Sequence, residues 1–358
     1  MAAGPARPPA SGVEERHTAL RAVFGLGLAA FLCIGAAQPV GPRIAYPPLP
    51  IDDRVASSEV ALDGDDTDVP TPAEVDAAQA QIAIAQLSQN YRPRPAIWEI
   101  ADRDTTIYLF GTIHILPPGF QWRNPTVDAI VARSDRLIVE SLDSQDRLPT
   151  MMPGASPRLP PLATRVSPHH RAALERFTDT LAPEAIAALD GMQTWIAAVA
   201  VGYVRDFRAG EIPGPGADDW LEQHFRETGK PIEPIEDGNK VMAMVSAIPE
   251  AEQRRMLDLA LDAPQRSRAD LRAPMHAWAK GEVGSNSALT VDMVGSSGTQ
   301  ALSAPLLINR NRAWADSLAM RLRQPGTALF AAGISHFIGP GSLLDLLRLR
   351  GIKVMRVE

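Results

Sequence analysis

The chain has very little cysteine for a protein of 358 residues, and this limits its chemistry. Its one cysteine, Cys33, lies in an apolar run near the N-terminus. A disulfide within the chain, a cysteine-based zinc site and a cysteine nucleophile in the folded body are therefore excluded. Any metal ion must be held by His, Asp and Glu side chains.

Three common functional motifs are also missing. The sequence contains no Gly-x-Ser-x-Gly motif, no Walker-type phosphate loop and no His-Glu-x-x-His motif. It therefore gives no support for a serine hydrolase, a nucleotide-binding protein or a zincin.

Positive charge is scarce. Lysine and arginine total 35 against 42 aspartate and glutamate residues, so the formal net charge is -7, and the sequence pI is about 5.6. Hydrophobic content of 45% and charged content of 22% are typical of a soluble globular protein. Because a nucleic-acid-binding protein needs a basic face, we expect no nucleic-acid partner.

One apolar run near the N-terminus, residues 22–37, has the features of a signal peptide. It follows a mildly positive leader, and its sixteen residues are short for a membrane span. Gly35, Ala36 and Ala37 supply the small residues that a signal peptidase requires, which predicts cleavage after Ala37. The alternative is an uncleaved anchor that tethers the chain to the inner membrane. Both interpretations predict a folded body in the periplasm or outside the cell.

Composition divides the rest of the chain into a tether and a folded domain. Residues 38–94 are rich in Pro, Ala and acidic residues, and they bury too little apolar surface to offset the entropy of ordering. They are therefore predicted to be a flexible tether. The folded domain is predicted at 95–358, with a large helical insertion at about 160–323 and a strand at 230–237 within it.

The two ends of the predicted domain repeat one pattern. Near its start, a predicted hairpin ends at Gly111 and His114, and a helix and a strand that ends at Glu140 follow. Near the C-terminus, an apolar strand ends at Gly333 and His336, again before a helix and a strand. An offset of 222 residues superposes both motifs. We therefore predict an α/β fold in which two strand–Gly-x-x-His–helix–strand units form a central mixed or parallel sheet, the first unit with a parallel pair of strands.

Both Gly-x-x-His motifs are predicted at the ends of strands, where open α/β sheets bind ligands. Alone, each histidine would be explained as a hydrogen-bonded strand-end residue. The duplication favours a shared site in which His114, His336 and Glu140 offer two imidazoles and a carboxylate to a divalent metal. Glu140 has the alternative role of capping the next segment. Gly111 and Gly333 would let the backbone turn sharply and leave room beside the histidines.

Four further polar residues are ambiguous on chemistry alone. Arg310 and Asn311 could cap a helix or form salt bridges, or Arg310 could neutralise a substrate carboxylate or a developing oxyanion. Asp218 and Glu236 have the same ambiguity between a structural and a functional role.

The order and spacing of six segments resemble the TraB/PrgY/GumN family over about residues 95–358. The segments are YLFGTIHILP, LIVESLD, GADDWLEQHFRETGKPIEPIED, MHAWAKGE, NRNRAWADSL and LFAAGISHFIGPGSLLDLLRLRGIKVMRV. This family includes the TIKI proteins, described as metal-dependent proteases that trim Wnt, and bacterial proteins linked to peptide-pheromone shutdown and to exopolysaccharide gene clusters. The second motif departs from the family, because Ile334 and Ser335 stand where smaller residues are more common.

The resemblance implies an active site formed by both Gly-x-x-His motifs, a glutamate and a divalent metal ion such as Mn²⁺, Co²⁺ or Zn²⁺. Carried over to this chain, the metal ligands are His114, His336 and Glu140, which are catalytic together with Arg310. The remaining family motifs and the two glycines give the predicted substrate-binding residues: Asn311, Asp218, Glu236, Gly111 and Gly333.

The sequence therefore predicts an exported, metal-dependent hydrolase of a peptide or small-molecule substrate, with a peptide bond preferred. Glu140 would be either a third metal ligand or the general base. The alternative is a non-catalytic module of the cell envelope that sequesters a peptide, haem or a metal with the same histidines. A third hypothesis is an anchored structural accessory of polysaccharide export.

Overall fold

The computed structural model describes residues 88–142, 159–209, 214–295 and 304–358. The predicted leader at 1–37 and most of the predicted tether at 38–94 lie outside these ranges. The strands are β1 (Ile97–Ala101), β2 (Thr105–Thr112), β3 (Ile115–Leu116), β4 (Arg136–Val139), β5 (Gly214–Pro215), β6 (Ile232–Pro234), β7 (Gly326–Gly333) and β8 (Val354–Arg356).

Helices make up most of the chain between β4 and β7. The α-helices are α1 (Pro125–Arg133), α2 (Leu162–Arg165), α3 (Arg171–Thr178), α4 (Pro183–Gly191), α5 (Thr194–Arg208), α6 (Ala217–Glu227), α7 (Gly238–Ser246), α8 (Glu250–Asp262), α9 (Arg268–Ala279), α10 (Ala288–Gly295), α11 (Asn309–Arg321) and α12 (Leu343–Leu349). No helix in the described ranges combines the length and the apolar character that a membrane span requires.

Six strands form one mixed sheet in the order β6-β4-β7-β2-β1-β8. β6, β4, β7 and β2 pair in parallel, whereas β1 pairs antiparallel with both β2 and β8. β3 and β5 form a separate antiparallel pair. The predicted α/β fold with a central mixed sheet is confirmed, as are the hairpin of β1 and β2 and the strand within 230–237.

Two apolar runs, β2 and β7, occupy the centre of this sheet. β2 reads TTIYLFGT and β7 reads GTALFAAG, and the last six residues of each strand are buried. Strands that are covered on both faces need such continuous apolar runs. The two strands pair in parallel with Thr112 opposite Gly333, so both Gly-x-x-His segments leave the sheet at the same edge.

The two predicted units interleave in the sheet. The first unit leads from β2 through α1 to β4, and the second leads from β7 through α12 to β8. β7 lies between β2 and β4, so the predicted parallel pair of the first unit consists of parallel strands that do not hydrogen-bond to each other. The physical reason is that a buried strand needs hydrogen-bond partners on both sides, and β7 finds them in β2 and β4.

The helical insertion has an apolar core of its own. α5 and α8 pack together, and the buried side chains around them include Trp195, Val201 and Leu257. The insertion also contributes β6, which extends the main sheet beyond β4. It is therefore joined to the sheet by backbone hydrogen bonds as well as by side-chain packing.

The chain contacts the domain from Gln89 onward. The side chain of Gln89 accepts a hydrogen bond from the N–H of Gln121 at 2.7 Å, and the Tyr91 hydroxyl lies 2.7 Å from Nδ1 of His276. These residues belong to the segment predicted to be a tether, so the packed structure begins before the predicted boundary at residue 95.

Candidate functional site

The structure brings together all nine residues that the sequence predicts for the site. Because β2, β7 and β4 are parallel neighbours, the segments that follow them open at one edge of the sheet. α6 supplies Asp218, α11 supplies Arg310 and Asn311, and Glu236 follows β6. The nine residues are His114, Glu140, His336, Arg310, Asn311, Asp218, Glu236, Gly111 and Gly333.

His114 follows β2 and is held by an aspartate on α6. Its Nδ1 lies 2.9 Å from Oδ2 of Asp218, and the two side chains are 21% and 16% exposed. Because a carboxylate accepts hydrogen bonds, Nδ1 carries the proton and donates it, which leaves the lone pair on Nε2. Nε2 is therefore the nitrogen of His114 that can accept a proton.

The start of α6 lies very close to the segment that carries His114. The N–H of Ala217 donates to the carbonyl of Ile113 at 3.0 Å. A Cβ on Gly216 would lie 2.3 Å from the carbonyl oxygens of both Ile113 and His114. The missing side chain at Gly216 therefore allows this approach, which places Asp218 in the first turn of α6 within reach of the imidazole.

Glu140 directly follows β4 and is 4% exposed. Its Oε1 accepts a hydrogen bond from the N–H of Gly333 at 2.7 Å. Its Oε2 forms an ion pair with Nη2 of Arg310. The carboxylate thus joins the end of β4 to the end of β7, and a partner on each oxygen fixes its position.

Gly333 lies against both His114 and Glu140. A Cβ on Gly333 would lie 3.2 Å from Nε2 of His114 and 3.5 Å from Oε1 of Glu140, so these two atoms converge on one point of the backbone. Neither Gly111 nor Gly333 has a positive φ, so a sharp turn does not explain either glycine. Close packing does, because a Cβ on Gly111 would lie 2.3 Å from Cδ1 of Ile334.

The guanidinium of Arg310 lies at the centre of the buried polar groups, with its side chain 3% exposed. Its Nε donates to Oε1 of Glu236 at 2.7 Å, and its Nη2 pairs with Glu140. Its Nη1 donates to the carbonyl of Leu306 at 2.9 Å. Burial raises the pKa of Glu236, and the charge of Arg310 opposes that rise. One buried carboxylate, Glu140, and one partly buried carboxylate, Glu236, therefore share one guanidinium.

His336 follows β7 in a short 3₁₀ turn and is 1% exposed. Its Nδ1 lies 2.6 Å from Oδ1 of Asn311, and Nη1 of Arg310 donates toward its Nε2 at 3.4 Å. This pattern places the proton on Nδ1 and the lone pair on Nε2. Burial lowers the pKa of His336 to about 3, with Glu140 opposing this shift and Arg310 reinforcing it. His336 is therefore a neutral imidazole at neutral pH.

Three residues that contact this network were absent from the predicted site. Trp314 donates from Nε1 to Oε2 of Glu236 at 3.0 Å and packs its ring 4.2 Å from that of His336. Trp278 donates to the carbonyl of Gly111, and the Leu306 carbonyl accepts from Arg310. Trp314 could have been found, because it lies four residues after Arg310 on the same face of α11. Trp278 belongs to the segment MHAWAKGE that carries the family resemblance, whereas the Leu306 carbonyl contact leaves no side-chain signal in the sequence.

The side chains as they lie do not form the predicted metal site. Across the described ranges, no group of three or more His, Cys, Asp or Glu side chains is arranged to hold a metal ion. Nε2 of His336 lies 4.0 Å from Oε2 of Glu140, but Arg310 contacts both atoms. In this arrangement the residues do not fit a metal held jointly by His114, Glu140 and His336. The metal stays a prediction from the sequence.

The arrangement nevertheless provides the groups that acid–base chemistry needs. His114 presents an Nε2 lone pair in a partly exposed position, and both this nitrogen and a fixed carboxylate oxygen of Glu140 lie against Gly333. The buried positive charge of Arg310 lies directly behind Glu140. A base, an acceptor that can orient a bound molecule and a nearby positive charge together suit the activation of water.

Comparison with curated proteins returned no match, and comparison with solved structures returned none either. A family model described as the TraB/PrgY/gumN family matches residues 96–356. This span contains all nine residues of the site and every strand of the described sheet. The chain therefore belongs to the TraB/PrgY/gumN family, which confirms the resemblance found in the sequence.

Proposed function

We propose that the chain is a hydrolase of peptide bonds in which His114 is the general base. The observation that carries this proposal is the position of Nε2 of His114. Asp218 holds the ring from the opposite nitrogen, and a Cβ on Gly333 would lie within 3.5 Å of both Nε2 and Oε1 of Glu140. Of the two histidines, His114 is the one a substrate can reach, since its side chain is 21% exposed and that of His336 is 1% exposed.

In the proposed reaction, His114 takes a proton from a water molecule through Nε2. The hydroxide formed attacks the carbonyl carbon of the peptide bond, and a tetrahedral intermediate results. The imidazolium then gives its proton to the leaving nitrogen as the C–N bond breaks, which releases a carboxylic acid and an amine. Asp218 stabilises the imidazolium between the two proton transfers.

The other site residues support this step. Glu140 orients the attacking water through Oε1, the oxygen that, like Nε2 of His114, lies against Gly333. Arg310 forms an ion pair with Glu140 and holds it in place. The neutral His336, held by Asn311, packs against Arg310 and closes the buried side of the site. These three residues position the groups that react, and they remain buried.

The substrate class and the location of the protein rest on the sequence. A peptide bond is proposed because the resemblance to TIKI proteins implied a peptidase. Action in the periplasm or outside the cell is proposed because residues 1–37 have the features of a signal peptide or an anchor. The acidic net charge argues against a nucleic-acid substrate, in agreement with a peptide substrate.

A peptide-library assay on the full chain tests the proposal. Wild type should cleave at least one library peptide, and His114→Ala should lose cleavage by a factor on the order of 10² or more. His169→Ala is the matched control, because His169 is exposed and lies in the helical insertion, away from these residues. Each assay is run with EDTA and with added Mn²⁺, Co²⁺ or Zn²⁺, so that a metal requirement is detected separately.

The substitution Glu140→Gln separates the enzyme from the alternative of a binding module. An enzyme should lose turnover while its circular dichroism stays that of a folded chain, although the melting temperature should fall because the buried ion pair with Arg310 is broken. A module that only sequesters a peptide, haem or a metal should keep its affinity for that ligand and should show no cleavage in the wild-type protein. That second result would reject the hydrolase proposal.

A further inference from the structure

The guanidinium of Arg310 contacts two of the three predicted metal ligands, Glu140 and His336. Nη2 pairs with Glu140, Nη1 lies 3.4 Å from Nε2 of His336, and Nε donates to Glu236. The chain therefore already has one positive charge at the point where two carboxylates and an imidazole nitrogen converge. We propose that Arg310 is the resident cation of this centre and that the wild-type chain binds no divalent metal through His114, Glu140 and His336.

Distance makes the two cations mutually exclusive at His336. A metal ion bound by an imidazole lies about 2.0–2.1 Å from the nitrogen. Nη1 of Arg310 lies 3.4 Å from that same nitrogen, and Nδ1 is committed to Oδ1 of Asn311. Nε2 carries the only lone pair of the neutral ring, so a metal could use it only after the guanidinium had left.

The surroundings of Arg310 hold it where it is. Its Cζ lies 4.6 Å from the ring centroid of Trp314, and Trp314 donates to the same Glu236 carboxylate that receives Nε. Removing the guanidinium would leave the buried carboxylate of Glu140 and the partly buried carboxylate of Glu236 without their cation, which is costly. A metal would have to offset that cost and, in addition, displace the N–H of Gly333 from Oε1 of Glu140 if it used both carboxylate oxygens.

The proposal concerns the same residues as the proposed hydrolase but does not depend on hydrolysis, because it is tested by metal binding. Metal content and affinity are measured on the full chain by metal analysis after dialysis and by titration calorimetry with Mn²⁺, Co²⁺ and Zn²⁺. Wild type should hold no more metal than His336→Ala does, and EDTA should leave the melting temperature of wild type unchanged. The proposal would be overturned if wild type bound one equivalent of metal and His336→Ala bound none.

The variant Arg310→Met removes the cation and keeps an unbranched stem of similar length. It should bind one equivalent of metal with an affinity at least about tenfold above any that wild type shows, and the double variant with His336→Ala should lose that gain. Arg310→Lys keeps a positive charge and should behave like wild type. A folded Arg310→Met chain without any gain in affinity would show that Arg310 does not exclude the metal.

Circular dichroism and thermal melting decide whether Arg310→Met is folded. If this variant does not fold, the comparison of wild type with His336→Ala still decides whether the wild-type centre holds a metal. The result of the peptide-cleavage assay is independent of the metal-binding result. A chain without a peptide substrate can still be metal-free, and an active chain can still be found to contain a metal.

Discussion

Gly333 and His114 lie so close together that a methyl group between them would crowd the imidazole. A Cβ on Gly333 would be 3.2 Å from Nε2 of His114, which is tighter than ordinary van der Waals contact. The backbone of Gly333, with φ −51 and ψ 134, lies in a region that alanine also adopts. An alanine at this position should therefore act on the imidazole and leave the backbone unstrained.

The substitution Gly333→Ala is accordingly predicted to impair function more than stability. We expect kcat/KM for a cleaved peptide to fall at least about tenfold because Nε2 is displaced. The free energy of unfolding should fall by no more than about 1 kcal/mol, since the partly exposed ring of His114 can move aside.

Gly202→Ala is the control for this prediction. Gly202 lies within α5, and a Cβ there would have no atom within 4 Å. Its replacement should raise the free energy of unfolding by roughly 0.5–1 kcal/mol through helix propensity and leave cleavage unchanged. A Gly333→Ala chain as active as wild type would show that the position of Nε2 does not limit the reaction.

The elements whose signals are local could be predicted from the sequence. The apolar runs of β2 and β7 and the polar residues at their ends are contiguous in the chain. The start of α1 is equally local, because Asn124 accepts from the N–H of Val127 and Pro125 occupies the first helical position, as expected. The repeat of the Gly-x-x-His pattern then indicated that the two strand ends share one edge.

The relationships that the sequence could not give are non-local. The insertion of β7 between β2 and β4 depends on which strands pair, and a local apolar pattern carries no information on partners. Arg310 reaches Glu140 across 170 residues of chain because β4 and β7 are adjacent. From sequence alone, two histidines and a carboxylate therefore pointed to a metal, whereas the folded arrangement puts a guanidinium among them.

Asp218 is predicted to act on the reaction through the tautomer of His114. Asparagine at this position can offer an N–H to Nδ1 and so shift the proton to Nε2, which removes the base. We expect Asp218→Asn to lower kcat on the order of 10²-fold with little change in KM. Steady-state kinetics on a cleaved peptide measure kcat and KM separately. A rise in KM with kcat unchanged would assign Asp218 to substrate binding instead.

Gly216 is predicted to be required for the docking of α6. A Cβ there would lie 2.3 Å from two backbone oxygens, which cannot move as a flexible side chain would. Gly216→Ala should therefore lower the free energy of unfolding by about 1–3 kcal/mol and also reduce cleavage, because Asp218 moves with the helix.

Gly284→Ala serves as the comparison for Gly216→Ala in urea unfolding. A Cβ on Gly284 would meet no atom within 4 Å, so this variant should unfold at nearly the wild-type urea concentration. If both variants unfold alike, the close approach of α6 to the end of β2 does not contribute to stability.

Glu222, on α6, is predicted to make stability depend on pH. Burial raises its pKa to about 7, although its i,i+4 partner Arg226 opposes the shift. The folded state therefore binds a proton more tightly than the unfolded state, whose pKa is near 4.5. It follows that the free energy of unfolding decreases as pH rises from about 4.5 to about 7 and then levels off. Asp219, with a pKa raised by burial to about 6, acts in the same direction at lower pH.

The variant Glu222→Gln should remove the contribution of Glu222 to this slope. Its free energy of unfolding should exceed that of wild type by about 2–3 kcal/mol at pH 8, and the difference should shrink as pH falls below 7. Little is lost with the Arg226 ion pair, because the arginine side chain is 52% exposed. Urea unfolding at several pH values measures the difference, with Glu227→Gln, an exposed change on the same helix, as the control for lost negative charge. A difference that stays constant from pH 5 to pH 8 would mean that Glu222 titrates alike in the folded and unfolded states.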